Sequence, residues 1–235
     1  MLKLKHYLFA ISLFLLIILL PQSSFAKRKH FGDQNYQVRA LSMEKNGNAI
    51  YALYGKAYES TNLISGIRNN NSWSWKTQEI GDHDFLRSLY LLSDGTFYFG
   101  GDSKSYIKPQ NSALLDLGES YENFNYANIE AINAIPDKNI MLLGGDDADD
   151  DGAWLFLGND NSQHKTNWIE PHLNACTPDN IGPANINSMA TSEMGIYLGV
   201  SNFYDPHASG ICTSNDLGKT WDSLNNFPET ELTLT

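Results

Sequence analysis

The stretch Ser214-Asn215-Asp216-Leu217-Gly218-Lys219-Thr220-Trp221 follows one apolar run and opens onto another. An Asp side chain accepts hydrogen bonds from backbone N–H groups two or three residues on, which closes a tight turn. Gly218 supplies a backbone conformation that a Cβ resists. Thr220 and Trp221 suit the start of a pleated, half-buried strand. The octamer reads as a β-hairpin turn, and the elements around it recur three times upstream.

Each copy starts on an apolar-polar-small-apolar strand: Val38-Arg39-Ala40-Leu41, Leu86-Arg87-Ser88-Leu89, Ile129-Glu130-Ala131-Ile132 and Ile186-Asn187-Ser188-Met189. Turn residues follow at Asn46-Gly47-Asn48, Asp94-Gly95, Pro136-Asp137-Lys138 and Glu193-Met194-Gly195. Asn-Gly and Asp-Gly between apolar runs are strong hairpin signals. Second strands end at Gly55, Gly100, Gly144 and Gly199. Third strands are expected at Asn62–Ile64, Ala113–Leu115, Trp154–Phe156 and Gly210–Cys212, and fourth strands from Trp75, Tyr121, Trp168 and Trp221. Those aromatics are 46, 47 and 53 residues apart. Four short strands at that period predict an all-β fold, a small β-propeller of about four four-stranded antiparallel blades. The blades are expected at residues 37–80, 84–127, 128–172 and 184–227 of a single domain spanning 27–235. A strand at 231–235 either latches the ring or begins a further blade.

The pattern Ser214-x-Asp216-x-Gly218-x-Thr220-Trp221 resembles the full Asp-box of the bacterial neuraminidase (BNR) repeat, found in sialidases and in photosystem-assembly-factor-like propellers. The second copy keeps Asp116, Gly118, Ser120 and Tyr121; the first keeps Asn70, Ser72, Ser74 and Trp75; the third keeps Thr166 and Trp168. The resemblance implies blades held by Asp-box hairpin turns. It implies no activity, because in those families the box is a peripheral turn.

If the first strand of each blade lines the axis, its polar residue, Arg39, Arg87, Glu130 or Asn187, stands at the channel mouth. Sialidases are similar in placing three arginines near this axis to hold a substrate carboxylate. After residue 26 this chain has only Arg28, Arg39, Arg68 and Arg87, and Glu130 carries the wrong sign. The Phe/Tyr-Arg-Ile-Pro motif is also missing, so the chain is expected not to be a catalytic sialidase. Ion pairing of Arg39 or Arg87 with Glu130 is the structural alternative.

Residues 1–26 read as a signal peptide: Lys3 and Lys5, an apolar run of 14 residues from Tyr7 to Leu20, then Ser24-Phe25-Ala26. The run is short of the roughly 20 residues that span a bilayer. The expectation is export to the periplasm or the exterior without membrane insertion after cleavage. Losing the leader takes the net charge from −11 to −13. An acidic surface argues against nucleic-acid partners, which need basic patches. In an oxidising compartment Cys176 and Cys212 are expected to form a disulfide, the alternative being two thiols, one buried.

Asp147-x-Asp149-x-Asp151-Gly152 has the spacing that sets alternate carboxylates around calcium. It resembles Asp-x-Asp-x-Asp-Gly loops of integrin propellers, although Leu155 stands where their later carboxylate falls. The residues suit either a weak calcium site or a solvated acidic loop. No other cofactor is expected. His30, His83, His164, His172 and His207 are too scattered for a zinc site. Trp73, Trp75, Trp154 and Tyr106 suit either sugar stacking or the blade core.

The expected function is a non-enzymatic binding or scaffold module, monomeric, that takes a protein or glycan through loops differing between repeats. Those loops are Lys56–Thr61, Asp102–Gln110, Asp146–Gly152 and Ser201–Ser209. The alternatives are a sialidase-like glycoside hydrolase remnant and an assembly or stability factor for an envelope complex.

Overall fold

The structure is a computed structural model that describes residues 37–44, 46–56, 60–70, 72–82, 85–119, 121–147, 153–159, 167–171, 173, 184–202 and 209–224. They form four antiparallel sheets of four strands, each a simple meander from its inner to its outer strand. Blade 1 holds β1 (Gln37–Met43), β2 (Ala49–Lys56), β3 (Ser60–Asn69) and β4 (Ser72–Asp82). Blade 2 holds β5 (Leu86–Leu91), β6 (Phe97–Gly101), β7 (Lys104–Lys108) and β8 (Leu115–Asp116). Blade 3 holds β9 (Ala127–Ile135), β10 (Ile140–Asp147), β11 (Ala153–Asn159) and β12 (Asn167–Ile169). Blade 4 holds β13 (Ala184–Ser192), β14 (Gly195–Asn202), β15 (Gly210–Ser214) and β16 (Asp222–Ser223). The inner strands β1, β5, β9 and β13 pack in succession, as the blades of a four-bladed β-propeller do, and the sheets are not closed into a ring. Among the described residues no helix is long and apolar enough to cross a membrane.

Turn chemistry sets the hairpins. The Asn46 side chain accepts from the Asn48 N–H and the Asp94 side chain from the Thr96 N–H, both at 2.8 Å. The strands of blade 3 then feed two cores, because successive side chains point to opposite faces. Leu143 and Phe156 pack towards blade 2 with Tyr98 and Ile129. Leu142 and Leu155 pack towards blade 4 with Ile186 and Leu198. All are essentially buried, and each such side chain contributes roughly 1.5–3 kcal/mol.

The inner strands share a second feature. Each pairing shifts register by one residue: between Val38 and Ala40, Leu86 and Ser88, Ile129 and Ala131, and Ile186 and Ser188. A β-bulge leaves the extra residue out of the ladder and re-aims its side chain. The four bulged residues are Arg39, Arg87, Glu130 and Asn187.

Blade 2 corrects three expectations. Its third strand is Lys104–Lys108, not Ala113–Leu115, and Leu115 belongs to the two-residue fourth strand. Lys104-Ser105-Tyr106-Ile107-Lys108 alternates half-buried with buried residues, the period of a strand with one face in the core. Asp102–Gln110 is accordingly not a loop but a tight turn followed by β7. Tyr121 starts no strand; it precedes a 3₁₀ turn at Glu122–Asn125. That turn drives Phe124 into the core, 4.3 Å from the Phe156 ring and 5.0 Å from the Trp168 ring. Burial of a whole aromatic ring outweighs the preference for another edge strand. The strand expected at 231–235 lies outside the described residues.

Candidate functional site

The octamer joins β15 to β16. Asp216 Oδ1 accepts from the Ser214 hydroxyl at 2.9 Å and from the N–H groups of Lys219 at 3.0 Å and Thr220 at 2.8 Å. Its Oδ2 accepts from the Thr220 hydroxyl at 2.7 Å. Ser214 Oγ accepts from the Gly218 N–H at 2.8 Å, Gly218 has φ of +86°, and Trp221 is buried with its indole N–H on the Gly218 carbonyl. The Thr220 backbone N–H, then its hydroxyl, hold the Asp216 carboxyl down to about 2. Its oxygens are engaged by the turn itself, which suits a structural part. The Asp116-Gly118-Tyr121 copy follows the fourth strand of its blade instead of joining strands three and four. It keeps one bond of the kind, from the Gly118 N–H to Asp116 Oδ1 at 2.8 Å. Asp116 also meets Lys104 at 3.3 Å.

Antiparallel order fixes what shares a face. The hairpins joining first to second strands, and the octamer, lie at one end of the blades. The starts of the inner strands and the second-to-third connections lie at the other. Among the described residues the hairpin end has an inter-blade cleft of about 900 Å³, with Tyr51, Tyr90 and Phe97 in its wall, and another of about 430 Å³. The opposite end carries the bulged residues.

Three of the four meet around one arginine. Arg87 Nη1 is ion-paired with Glu130, and Nη2 lies 2.7 and 2.9 Å from the two oxygens of Asp102. Arg39 lies over the Phe85 ring, its guanidinium carbon 3.9 Å from the centroid, with that of Arg87 4.9 Å from the same centroid. Arg39 Nη1 reaches the Thr61 hydroxyl at 3.5 Å, while its Nε and Nη2 are buried without a hydrogen-bond partner. Asn187 bonds the Ser201 hydroxyl of its own blade.

Burial pulls Arg87 down, but Glu130 and Asp102 outweigh it and hold it above its ordinary value. Arg39 is lowered by burial and by Arg87, against a smaller pull from Asp102. Glu130 is raised: burial leads, Arg87 opposes, and Asp146 and Asp102 add repulsion. Asp146 is raised by burial most of all, against an Asn128 hydrogen bond and Arg87. The ion-paired partners thus both shift upward. One cation is shared among three carboxylates, so for Glu130 burial and like charge win over pairing. The cluster couples a firmly protonated arginine to two carboxyls inclined towards their neutral form.

The sequence reading missed Asp102, Phe85 and Asp146 as members of this cluster. A signal was present: Gly100-Gly101-Asp102 and Gly144-Gly145-Asp146 are the same text at the same place in two blades. The residue two beyond the second-strand glycine is Asp102, Asp146 and Ser201 in blades 2 to 4. In blade 1 register puts Gly55 at that place, opposite Gln37 as Asp102 lies opposite Phe85.

Of the calcium candidates, Asp149 and Asp151 lie outside the described residues, and Asp147 ends β10. Among the described residues no group of three acidic, histidine or cysteine side chains is arranged to hold a metal. Cys212 is buried between blades 3 and 4, and Cys176 lies outside the described residues, as do all the histidines. Trp73 and Trp75 stack at 5.8 Å on the exposed edge strand β4, whereas Trp154 packs edge-on to Phe156 in the core.

No protein-family model matches the sequence, and no curated protein matches it. Solved structures do match. A provisional 6-phosphogluconolactonase of Bacteroides uniformis superposes with a TM-score of 0.51 at 9% identity, over 81% of this chain and 54% of that one. A structure of YCF48 bound to a D1 peptide superposes with a TM-score of 0.47 at 12% identity, over 82% of this chain and 68% of that one. The chain thus spans about half the length of the first, and at such identity the likeness is one of fold alone.

Proposed function

We propose that this protein is a non-enzymatic binding module, exported through the leader at residues 1–26, that takes a protein or glycan partner on the end carrying the bulged residues. One observation carries the reading: Arg39 keeps a buried guanidinium edge, Nε and Nη2, without a hydrogen-bond acceptor. A desolvated cation with unfilled donors is costly, and a partner carboxylate matches a guanidinium fork in shape and charge. An acidic peptide or an acidic sugar is therefore the ligand chemistry. The octamer turn serves the scaffold, in keeping with the Asp-box resemblance.

Pull-downs from the producing organism's envelope and medium, run with the wild-type chain and with Arg39→Met, test this. A partner retained by the wild type and lost by the variant is the expected result. Equal capture by both overturns the role of Arg39. The raised carboxyls of Glu130 and Asp146 favour a second reading, a glycoside hydrolase remnant with a neutral carboxyl as acid. Enzyme-like turnover of fluorogenic glycosides, lost in Glu130→Gln, would establish that reading and end the first.

A further inference from the structure

We infer that two copies of this chain join end to end, the outer face of blade 1 in one copy seating on the outer face of blade 4 in the other, so that eight blades complete the ring that four leave open.

The residue just before each bulge is a knob. In blades 2, 3 and 4 it is Leu86, Ile129 and Ile186, each 0% exposed, whereas in blade 1 it is Val38, 62% exposed. Leu41 is 67% exposed, while its equivalent Leu89 is 7% exposed and packs against blade 1. Register puts Val38, Leu41 and Met43 on one face of β1, since they pair with Tyr54, Ala52 and Ile50, alternate residues of β2.

In blades 2, 3 and 4 the glycine opposite the residue after the bulge is the notch; blade 1 has Leu53 there. A Cβ on Gly100 would run into Ile129 of the next blade, and one on Gly144 would lie 2.9 Å from Ile186 of the next. Small residue and aliphatic residue thus fit across the blade 2–3 and blade 3–4 joints. Gly199 is the equivalent notch of blade 4, where the three atoms nearest to a Cβ all belong to Ser188 of its own blade. Beside it on that face stand Ile211, directly paired with Gly199, and Tyr197, both half-buried. Their equivalents in blade 3, Leu155 and Leu142, are 2% and 0% exposed under blade 4.

Among the described residues, one end of the arc therefore presents an unfilled notch and the other an unseated knob, cut to the pattern of the blade 2–3 and blade 3–4 joints. The described residues form an open arc, so blades 1 and 4 do not meet each other within it. A second copy supplies both missing halves at once. A head-to-tail contact made twice about a two-fold axis closes, and needs no other partner. This replaces the monomer expected from sequence, and it stands apart from the proposed ligand.

Light scattering behind size exclusion, on the purified chain at tens of micromolar, is expected to give the mass of two chains. Val38→Asp with Leu41→Asp changes two exposed side chains and is expected to give the mass of one, with an unchanged circular dichroism spectrum. The wild-type melting temperature should rise with concentration, and that of the variant should not. Paired Val38→Cys and Gly199→Cys substitutions should yield a disulfide-linked dimer band that neither single change gives; the Ser188 hydroxyl can turn aside from the added Cβ. A wild-type monomer, a dimer that the aspartates leave intact, an open polymer, or a cross-link within one chain would each overturn the inference.

Discussion

Arg39 of blade 1 and Arg87 of blade 2 occupy the same bulge and lean on the same Phe85 ring, 3.9 and 4.9 Å from its centroid. Arg87 is bracketed by Asp102 of its own blade and Glu130 of the next. Among charges, Arg39 feels Arg87 most strongly, and register puts Gly55, which has no carboxylate, where blade 2 has Asp102. One arginine is raised and the other lowered. A repeated scaffold thus sets the position of a side chain, while the two flanking blades set its charge environment. The filled position behaves as a structural part and the unfilled one as a place for a ligand.

That contrast can be broken most forcefully by Arg87→Met, which leaves Glu130, Asp102 and Asp146 crowded with no cation between them. Removing one partner of a partly buried pair is expected to cost about 1–3 kcal/mol at neutral pH, read from the urea midpoint. Arg39→Met should cost under about 1 kcal/mol, the scale of a cation–π contact, because few polar bonds are lost. Equal losses in the two variants would erase the distinction between them.

Titration sharpens it further. Glu130 is raised above 4.5 and Asp146 above 3.8, so both favour the protonated form in the folded state. Their contribution is present below those values and is lost as pH rises through the raised ones. Glu130→Gln should therefore gain on the wild type in denaturant midpoints as pH rises from 4.5 through the raised value. A gap that moves the other way would mean that pairing with Arg87 dominates after all. Asp216 has the opposite sign: held to about 2, it stabilises above 3.8, and the gain is lost as pH falls towards 2. Asp216→Asn should flatten that acid limb while leaving the Glu130 slope unchanged, the smallest of these effects.

Much of the arc was legible in advance. The four inner strands, the hairpins at Asn46-Gly47 and Asp94-Gly95 and the octamer turn rest on local chemistry, which a sequence carries in full. The recurring polar residue of the inner strands was legible too, although the bulge that exposes it was not. A one-residue slip shows only when two strands are laid side by side. Blade 2 was misread because Ala113-Leu114-Leu115 is an unbroken apolar run, whereas the true strand from Lys104 to Lys108 alternates. Phe124 decided that region by finding a core built from blade 3.

By itself, the sequence determined the all-β class, the four-strand period, the turns and the positions that carry charge. Each of these depends on residues a few places apart. Tertiary structure alone decided which acid Arg87 takes, since Glu130 lies 43 residues away on another blade. It alone decided that Val38 is bare where Ile129 and Ile186 are covered, although all three sit in the same four-residue pattern. Burial and charge pairing sum over neighbours in space, and a repeat written identically along the chain meets different neighbours at its ends.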